Sequence, residues 1–588
     1  MPYLSYFFQR YTNAKEQEQK RQQHEEEMRS RERAKAAPTL RGDFRLPFDD
    51  FNDFSIEDEC TMAVSLVDLR MGKLSYALRS KPEWWKKFKN LEIRGKWEKE
   101  ALEHDIHGGR LTKAEVKYAL DELQGYEKMR DDATGIQQSC YQGIYEADGL
   151  VSEALRKRLI SAVKVLEDVP DHKKDWHPRS NNQVLDLVHP SLYCIVYNRT
   201  LAFPANSDPA NRTSADLKKL QHPIAAAAAK TGPEPAYENW SYSKKFCWIP
   251  TDFDIPTGGT PAKALSYINN IEPDLTELYS VVEGVVGRFS LLWDRVLTDL
   301  HPGNGGLKYR IHGGYEWNAD NAGSEPEWQD DDEDAYDAAY KEWENKRVLE
   351  MPTVPDEGYT EDISQRKVQY TIQGKKVQVI VKLANIILTP ESPSYPGGSW
   401  HVEGMANERI VASGIYYYDS ENITESQLAF RMAVTFRTSR ATGKRSSSES
   451  QSNQVVGAVK TIPKRCIAFP NIYQHQVSPF ALVDPTKPGH RKIMALFLVD
   501  PEHRIPSTSD IPPQQEHWAQ AAMATSEASS AFHLLPAEIR QMVAGSTEGF
   551  MSEAEAKDYR VKLMDERTAF VGVQDEKWFC TTFNFCEH

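Results

Sequence analysis

The spacing of apolar residues changes character twice along the chain. From Leu46 to about Pro170, apolar positions are separated by charged ones at helical intervals with few β-branched runs, which predicts helices. Pro82 opens one of them, ahead of Trp84, Trp85 and Phe88, and Thr112 with Glu115 has the spacing of a capping box at the start of another. These tryptophans read as core aromatics of amphipathic helices. Loop-forming residues dominate Leu201 to Gly232. Leu278, Val281, Val282, Val285, Val286, Phe289, Leu292, Trp293, Val296, Leu297 and Leu300 then recur at three- and four-residue steps, predicting a helix over 274–300 with a broad buried stripe that needs a sheet to cover it. From Lys367 the period shortens. Segments 368–372, 377–388, 410–418, 430–436, 455–459, 465–469 and 491–499 are β-branched and aromatic and are punctuated by Gly, Pro and Ser; these seven come close to the about eight short strands that suit a jelly-roll or double-stranded β-helix. Beyond Ile511-Pro512-Pro513 the helical pattern returns, with starts at Pro536 and Ser552.

The expected organisation is therefore α+β. A charged arm (1–45) precedes a mainly helical domain (46–260), then a double-stranded β-helix domain (261–505) with its packing helix (274–300) and an acidic loop (301–350), and a C-terminal helical extension (506–588). The Glu, Gln, Lys and Arg of Asn13–Ala37 cannot bury an apolar face, so this arm reads as solvated, as does Asp330–Asp334, whereas the Ser-, Arg- and Gln-rich stretch 437–454 reads as a long loop within the strand series, either a mobile lid or an insertion.

Charge narrows the function. With 86 acidic against 71 basic residues, a formal charge of −15, the chain is a poor general binder of nucleic-acid backbone. Its seven cysteines form no CxxC pair, which points away from zinc ribbons and disulfide frameworks and toward a reducing compartment. The apolar patch at Tyr3–Phe8 is too short for a signal peptide, and nothing approaches the ~20 apolar residues of a membrane span. The expectation is an intracellular, cytoplasmic protein with the nucleus left open, no membrane and no nucleic acid among its partners.

Candidate chemistry gathers in the strand-rich half. His401 and Glu403 stand two apart, so on an extended backbone an imidazole and a carboxylate project from one face. His475, just past the segment Cys466–Phe469 and its proline turn, supplies a second imidazole. Two histidines and one carboxylate on one side of an ion suit non-haem Fe(II). Arg491 opens a strand whose alternate residues Ile493, Ala495 and Phe497 share its face, and a buried guanidinium there needs an anion, best a carboxylate held by two hydrogen bonds. Lys492 should point the other way. Asn407, Tyr416 and Tyr418 are candidate pocket residues, the tyrosines equally readable as packing. His189, before Pro190, is a candidate substrate contact or a hydrogen-bonded turn residue.

The order His401-x-Glu403, Phe469-Pro470 and four residues to His475, then Arg491 on the next strand, resembles the 2-oxoglutarate- and Fe(II)-dependent dioxygenase superfamily. From about Leu46 to Trp518 the chain also resembles a mostly fungal family catalogued as domain of unknown function 4246, through Asn182–Ser191, Ser266–Asn270, His401–Gly404, Gly414–Asp419 and Ile511–Gln515. The superfamily resemblance implies His401, Glu403 and His475 as iron ligands and Arg491 as the anchor of 2-oxoglutarate. It also implies molecular oxygen as reactant and hydroxylation of a small-molecule or peptide substrate, with demethylation, desaturation or ring formation as other outcomes. Glutamate in the middle position departs from the commoner aspartate. Relatives with glutamate often anchor 2-oxoglutarate by a lysine, which the neighbourhood of Asp419 does not offer. Two rival readings stand beside this one: a cupin-like metal oxygenase that uses no 2-oxoglutarate, and a non-catalytic β-helix scaffold whose helical domain and acidic loop bind a partner protein.

Overall fold

Central strands that are apolar on both faces build a large sheet with helices on one side and a small sheet on the other. The computed structural model describes residues 44–47, 64–106, 108–205, 207–223, 241–304, 308–311, 316–318, 322–327, 333–350, 353–434, 452–525, 535–536, 538–539, 542–543 and 547–577. The expected solvated arm (13–37), most of the stretch 437–454 and residues 330–332 of the acidic run lie outside these.

Helices α1 (Leu66–Arg79), α2 (Leu91–Glu103) and α3 (Lys113–Asp121) open the described chain. Ser65 and Asn90 accept from first-turn amides of α1 and α2, and the Thr112–Glu115 capping box of α3 is formed in both directions. Strand β1 (Tyr145–Ala147) and helix α4 (Glu153–Ala162) follow, then β2 (Val184–Val188), β3 (Thr251–Asp254) and α5 (Thr276–Leu300). The segment 46–260 is thus helical in its first part and gives β1, β2 and β3 to the main sheet, as strands too short to show a period of their own. Within the expected acidic loop a helix forms, α6 (Glu333–Lys346), with Tyr336 and Tyr340 one turn apart and their rings 5.8 Å from each other.

The longer strands of the second half are β4 (Lys376–Leu388), β5 (Ile410–Glu421), β6 (Gln427–Val434), β7 (Ser452–Lys460), β8 (Cys466–Pro470), β9 (Gln474–Val477) and β10 (Gly489–Val499), and helix α7 (Glu553–Lys577) ends the described chain. Residues 368–372, expected as a strand, instead run along the end of α5: the side chains of Asp294, Thr298 and Asn304 accept from Ile372, Tyr370 and Val368 amides. Every named strand pair is antiparallel. The nine-stranded sheet runs Gln137–Gln138, β1, β8, β5, β10, β4, β3, Lys263–Ala264, with β2 beside β3 on the same edge of β4. The second sheet is β7–β6–β9.

One face of the large sheet, with Val379, Val381 and Leu383 of β4, Tyr416 and Tyr418 of β5 and Met494, Leu496 and Leu498 of β10, packs on the buried stripe of α5. Each of those fully buried apolar side chains contributes roughly 1.5–3 kcal/mol. The intervening residues Ile415, Tyr417, Ile467 and Phe469 face Leu428, Phe430, Met432 and Val456 of the small sheet. The two sheets therefore enclose a second core between them, and the candidate residues gather there.

Candidate functional site

The loop before His401 is shaped by Gly397, whose φ of +94° favours glycine and where a Cβ would lie 2.7 Å from the Val477 carbonyl oxygen. The Gly398 amide donates to that same oxygen at 3.0 Å, laying the loop against β9. His401 and His475 then form an isolated antiparallel bridge, with His475 N–H to His401 O at 2.9 Å and the reverse bond at 3.2 Å. The bridge sets the two imidazoles side by side, 4.4 Å between ring centres. Gly404, at φ +70°, turns the chain away directly after Glu403.

Glu403 Oε1 lies 3.4 Å from His475 Nε2 and 3.7 Å from His401 Nε2. One ligand atom from each of the three residues falls within 4.8 Å of the others. The Ser399 carbonyl accepts from His401 Nδ1 at 2.8 Å, which fixes the proton there and leaves Nε2 its lone pair. His475 is 4 % exposed and Glu403 15 %, whereas His401 is 36 % exposed, so the cluster opens to solvent on the His401 side. Packing lowers the His401 pKa, but the hydrogen bond and charge of Glu403 outweigh this and raise it. His475 is lowered by burial and by its positive neighbour, and Glu403 is held well below the usual carboxylate range because the two imidazoles overcome its desolvation. Such a donor set can hold a divalent metal on three adjacent positions and leave the rest open.

Arg491 is 1 % exposed and pairs with no carboxylate among the described residues. Its Nη2 donates to Ser426 Oγ at 2.6 Å, and its guanidinium lies 4.1 Å from the Phe480 ring centre and 5.7 Å from that of Tyr417. Arg491 Nε and Nη1, the Tyr417 hydroxyl and the Ser420 hydroxyl are buried with no hydrogen-bond partner among the described residues. Ser420 stands directly across from Arg491 in the β5–β10 register, and Tyr417 across from Ile493, so all these groups share one face of the large sheet. Four unsatisfied buried polar atoms converging on one place would each be costly unless an anionic oxygen group met them.

The family model described as "Protein of unknown function (DUF4246)" matches residues 113–522, and the one described as "Domain of unknown function DUF4246, N-terminal" matches residues 22–100. The chain belongs to the DUF4246 family. No curated protein matches it. Among solved structures the DUF4246 chain is similar to the IDO protein of Bacillus thuringiensis at 11 % identity and a TM-score of 0.15, over 21 % of this chain and 46 % of that one. It thus spans about half the length of the Bacillus protein. It is similar to the Fe(II)/α-ketoglutarate-dependent dioxygenase TqaL at 10 % identity (60 % and 90 % covered, TM-score 0.20), and to the dioxygenase for auxin oxidation in rice at 12 % identity (66 % and 80 % covered, TM-score 0.22). With scores this low, the chemistry has to be read from the residues of the DUF4246 chain itself.

Those residues divide. His401, Glu403 and His475 come together, and Arg491 faces the same inter-sheet space. Lys492 points to the opposite face, as its parity requires, and pairs with Glu167 at 2.9 Å. Tyr416 and Tyr418 lie in the α5-side core, away from the cluster; the tyrosine on the site face is Tyr417. Asn407 is occupied by structure, its Oδ1 accepting from the Ser243 amide at 2.7 Å and its Nδ2 donating to the Ser243 carbonyl and the Tyr197 hydroxyl. His189 is a buried turn residue whose Nδ1 accepts from the Ser191 amide at 3.2 Å. With His177 and Asp186 it forms a second close group. Its engaged Nδ1 puts the proton of the neutral ring on Nε2, which leaves neither nitrogen free to bind a metal. Sequence reasoning passed over Asn471, which is fully buried: its Oδ1 accepts from the Glu403 amide at 2.9 Å, while its Nδ2 donates to the Glu403 and Ile410 carbonyls. It clamps the backbone that carries the carboxylate. Its only signal was its place in Phe469-Pro470-Asn471, beside the turn into β9.

Proposed function

We propose that this protein is a non-haem Fe(II)- and 2-oxoglutarate-dependent oxygenase, its two facing sheets forming a double-stranded β-helix around the site. The single observation that carries this reading is the buried Arg491, which among the described residues has no carboxylate partner, with Ser420 and Tyr417, on the same inter-sheet face as the His401–Glu403–His475 cluster. The donor set fits Fe(II), and the unsatisfied donors fit the far carboxylate of a dicarboxylic acid. Bound together, iron and 2-oxoglutarate supply the oxidising chemistry, in which 2-oxoglutarate and dioxygen become succinate and carbon dioxide and a substrate is oxidised.

The chain's own part is holding and orienting. His401 Nε2, Glu403 Oε1 and His475 Nε2 would hold the metal; Ser399 fixes the His401 tautomer, and Asn471 fixes the Glu403 backbone. Arg491, Ser420 and Tyr417 would anchor the co-substrate by its distal end, and Phe480 and Tyr417 keep water from the guanidinium. The exposed edge of His401 marks the side from which a small-molecule or peptide substrate enters. The test is incubation with Fe(II), 2-oxoglutarate and pools of metabolites and peptides, following succinate. Succinate release that depends on a component of the pool, and that Arg491→Ala abolishes, is expected. A variant that binds and turns over 2-oxoglutarate like the wild type would overturn the reading.

A further inference from the structure

Strand β4 presents Ile380, Lys382, Ala384, Ile386 and Leu388 to the side opposite α5. Ile380 packs with Ala495 and Phe497, and Ile386 with Phe480 and Leu482, so a lysine at 382 breaks an otherwise apolar face. Register puts Lys382 across from Ala495 and Ile386 across from Arg491, which places Lys382 on the same face as the co-substrate anchor and four residue pairs along the strand from it. Its side chain is partly exposed, and among the described residues it makes no hydrogen bond or ion pair. The nearest carboxylate by register is Asp186, across from Ala384. That group is already taken by His177 at 2.8 Å and approached by Arg560 at 3.7 Å. The positive charge of Lys382 reaches both histidine groups, acting on His401 in one and on His189 and Asp186 in the other.

An ammonium with three unused donors, half withdrawn from water on the sheet face that carries the co-substrate anchor, is set to meet an anion. We propose that Lys382 recognises the substrate to be oxidised, by binding an anionic oxygen group, carboxylate or phosphate, that the substrate carries. This rests on the oxygenase reading, in which Arg491 already serves the co-substrate.

The experiment uses full-length wild type, Lys382→Met, Lys382→Arg and Arg491→Met, loaded with Mn(II) without oxygen and titrated calorimetrically. The probes are 2-oxoglutarate and, with it present and absent, hexanoate, benzoate, N-acetylglycine and glycerol phosphate, each beside its uncharged amide or alcohol counterpart. The expected result is that at least one acid binds wild type and Lys382→Arg, and that Lys382→Met or removal of the acid's charge weakens it about tenfold or more, the scale of one charge-assisted hydrogen bond. The carboxylate and phosphate arms tell which group is preferred. 2-Oxoglutarate should bind Lys382→Met as it binds wild type and be lost only in Arg491→Met. The proposal is overturned if no acid distinguishes Lys382→Met from wild type, or if Lys382→Met weakens 2-oxoglutarate as Arg491→Met does. Failure of 2-oxoglutarate to bind any of the four proteins would count against the oxygenase reading instead, and the acids titrated alone would still report on Lys382.

Discussion

Replacing Arg491 by methionine should cost the protein its co-substrate without costing it stability. The guanidinium is 1 % exposed, and two of its nitrogens, Nε and Nη1, have no hydrogen-bond partner among the described residues. A buried unsatisfied donor costs about 1–3 kcal/mol, so the two together cost about 2–6 kcal/mol in the co-substrate-free protein. Against this stand the hydrogen bond to Ser426, worth about 1.5–3 kcal/mol for a charged donor, and the contact with the Phe480 ring at 4.1 Å, worth about 1–2 kcal/mol. The terms nearly cancel, and the apolar burial of methionine tips the balance toward a gain of about 1 kcal/mol. The assay is thermal unfolding of Mn(II)-loaded wild type and Arg491→Met, with and without 2-oxoglutarate. Without it the variant should melt at or above wild type. At about a hundred times its Kd, 2-oxoglutarate should add about 2.7 kcal/mol to wild type and nothing to the variant. The reasoning is refuted if Arg491→Met loses about 3 kcal/mol or more in the absence of ligand, the behaviour of a broken buried pair, or if it gains the same ligand increment as wild type.

Further outcomes follow from other contacts. Asn471→Ala releases the Glu403 amide and carbonyl while leaving all three candidate ligands in the chain, and metal affinity measured by competition with a chelator should fall about 10–100-fold; unchanged affinity would mean that the clamp does not position Glu403. Gly414 lies where β5 meets α5, and a Cβ there would come within 2.5 Å of Phe289 Cδ1, so Gly414→Ala should destabilise by about 1–3 kcal/mol in urea unfolding and Phe289→Leu should recover part of the loss. Because Glu403 raises the His401 pKa, His401 in the metal-free protein keeps its proton above the ordinary imidazole value of about 6.5, and the metal must displace that proton. Affinity should therefore be full at alkaline pH and fall as pH drops through the raised value; an affinity that stays flat until pH is well below about 6.5 would contradict the coupling.

What could be read from the sequence depended on whether the signal was local. The long stripe of α5, the Thr112–Glu115 box and the strands β4, β5 and β10 carry periods that survive without tertiary context, and so does the spacing of His401 and Glu403. Tyr416, Tyr417 and Tyr418 show where this stops. All three are buried because both faces of β5 are covered, so alternation of polarity vanishes and parity cannot tell which tyrosine faces the cluster. Ser420 shares the Arg491 face only because the register shifts between Tyr417 and Asp419. β1, β2 and β3 are recruited by pairing with strands far along the chain, and Lys382 matters through its cross-strand neighbours. His475 follows β8 and its proline turn as expected, in a strand of its own that is four residues long and defined by its pairing with β6.

Iron binding by protein purified without oxygen tests the central claim most directly. Wild type is expected to bind a single Fe(II) per chain, and His401→Ala, Glu403→Ala and His475→Ala each to lose it while His177→Ala and His189→Ala keep it. Iron retained in all three of the first variants, or lost equally in the last two, would contradict the account.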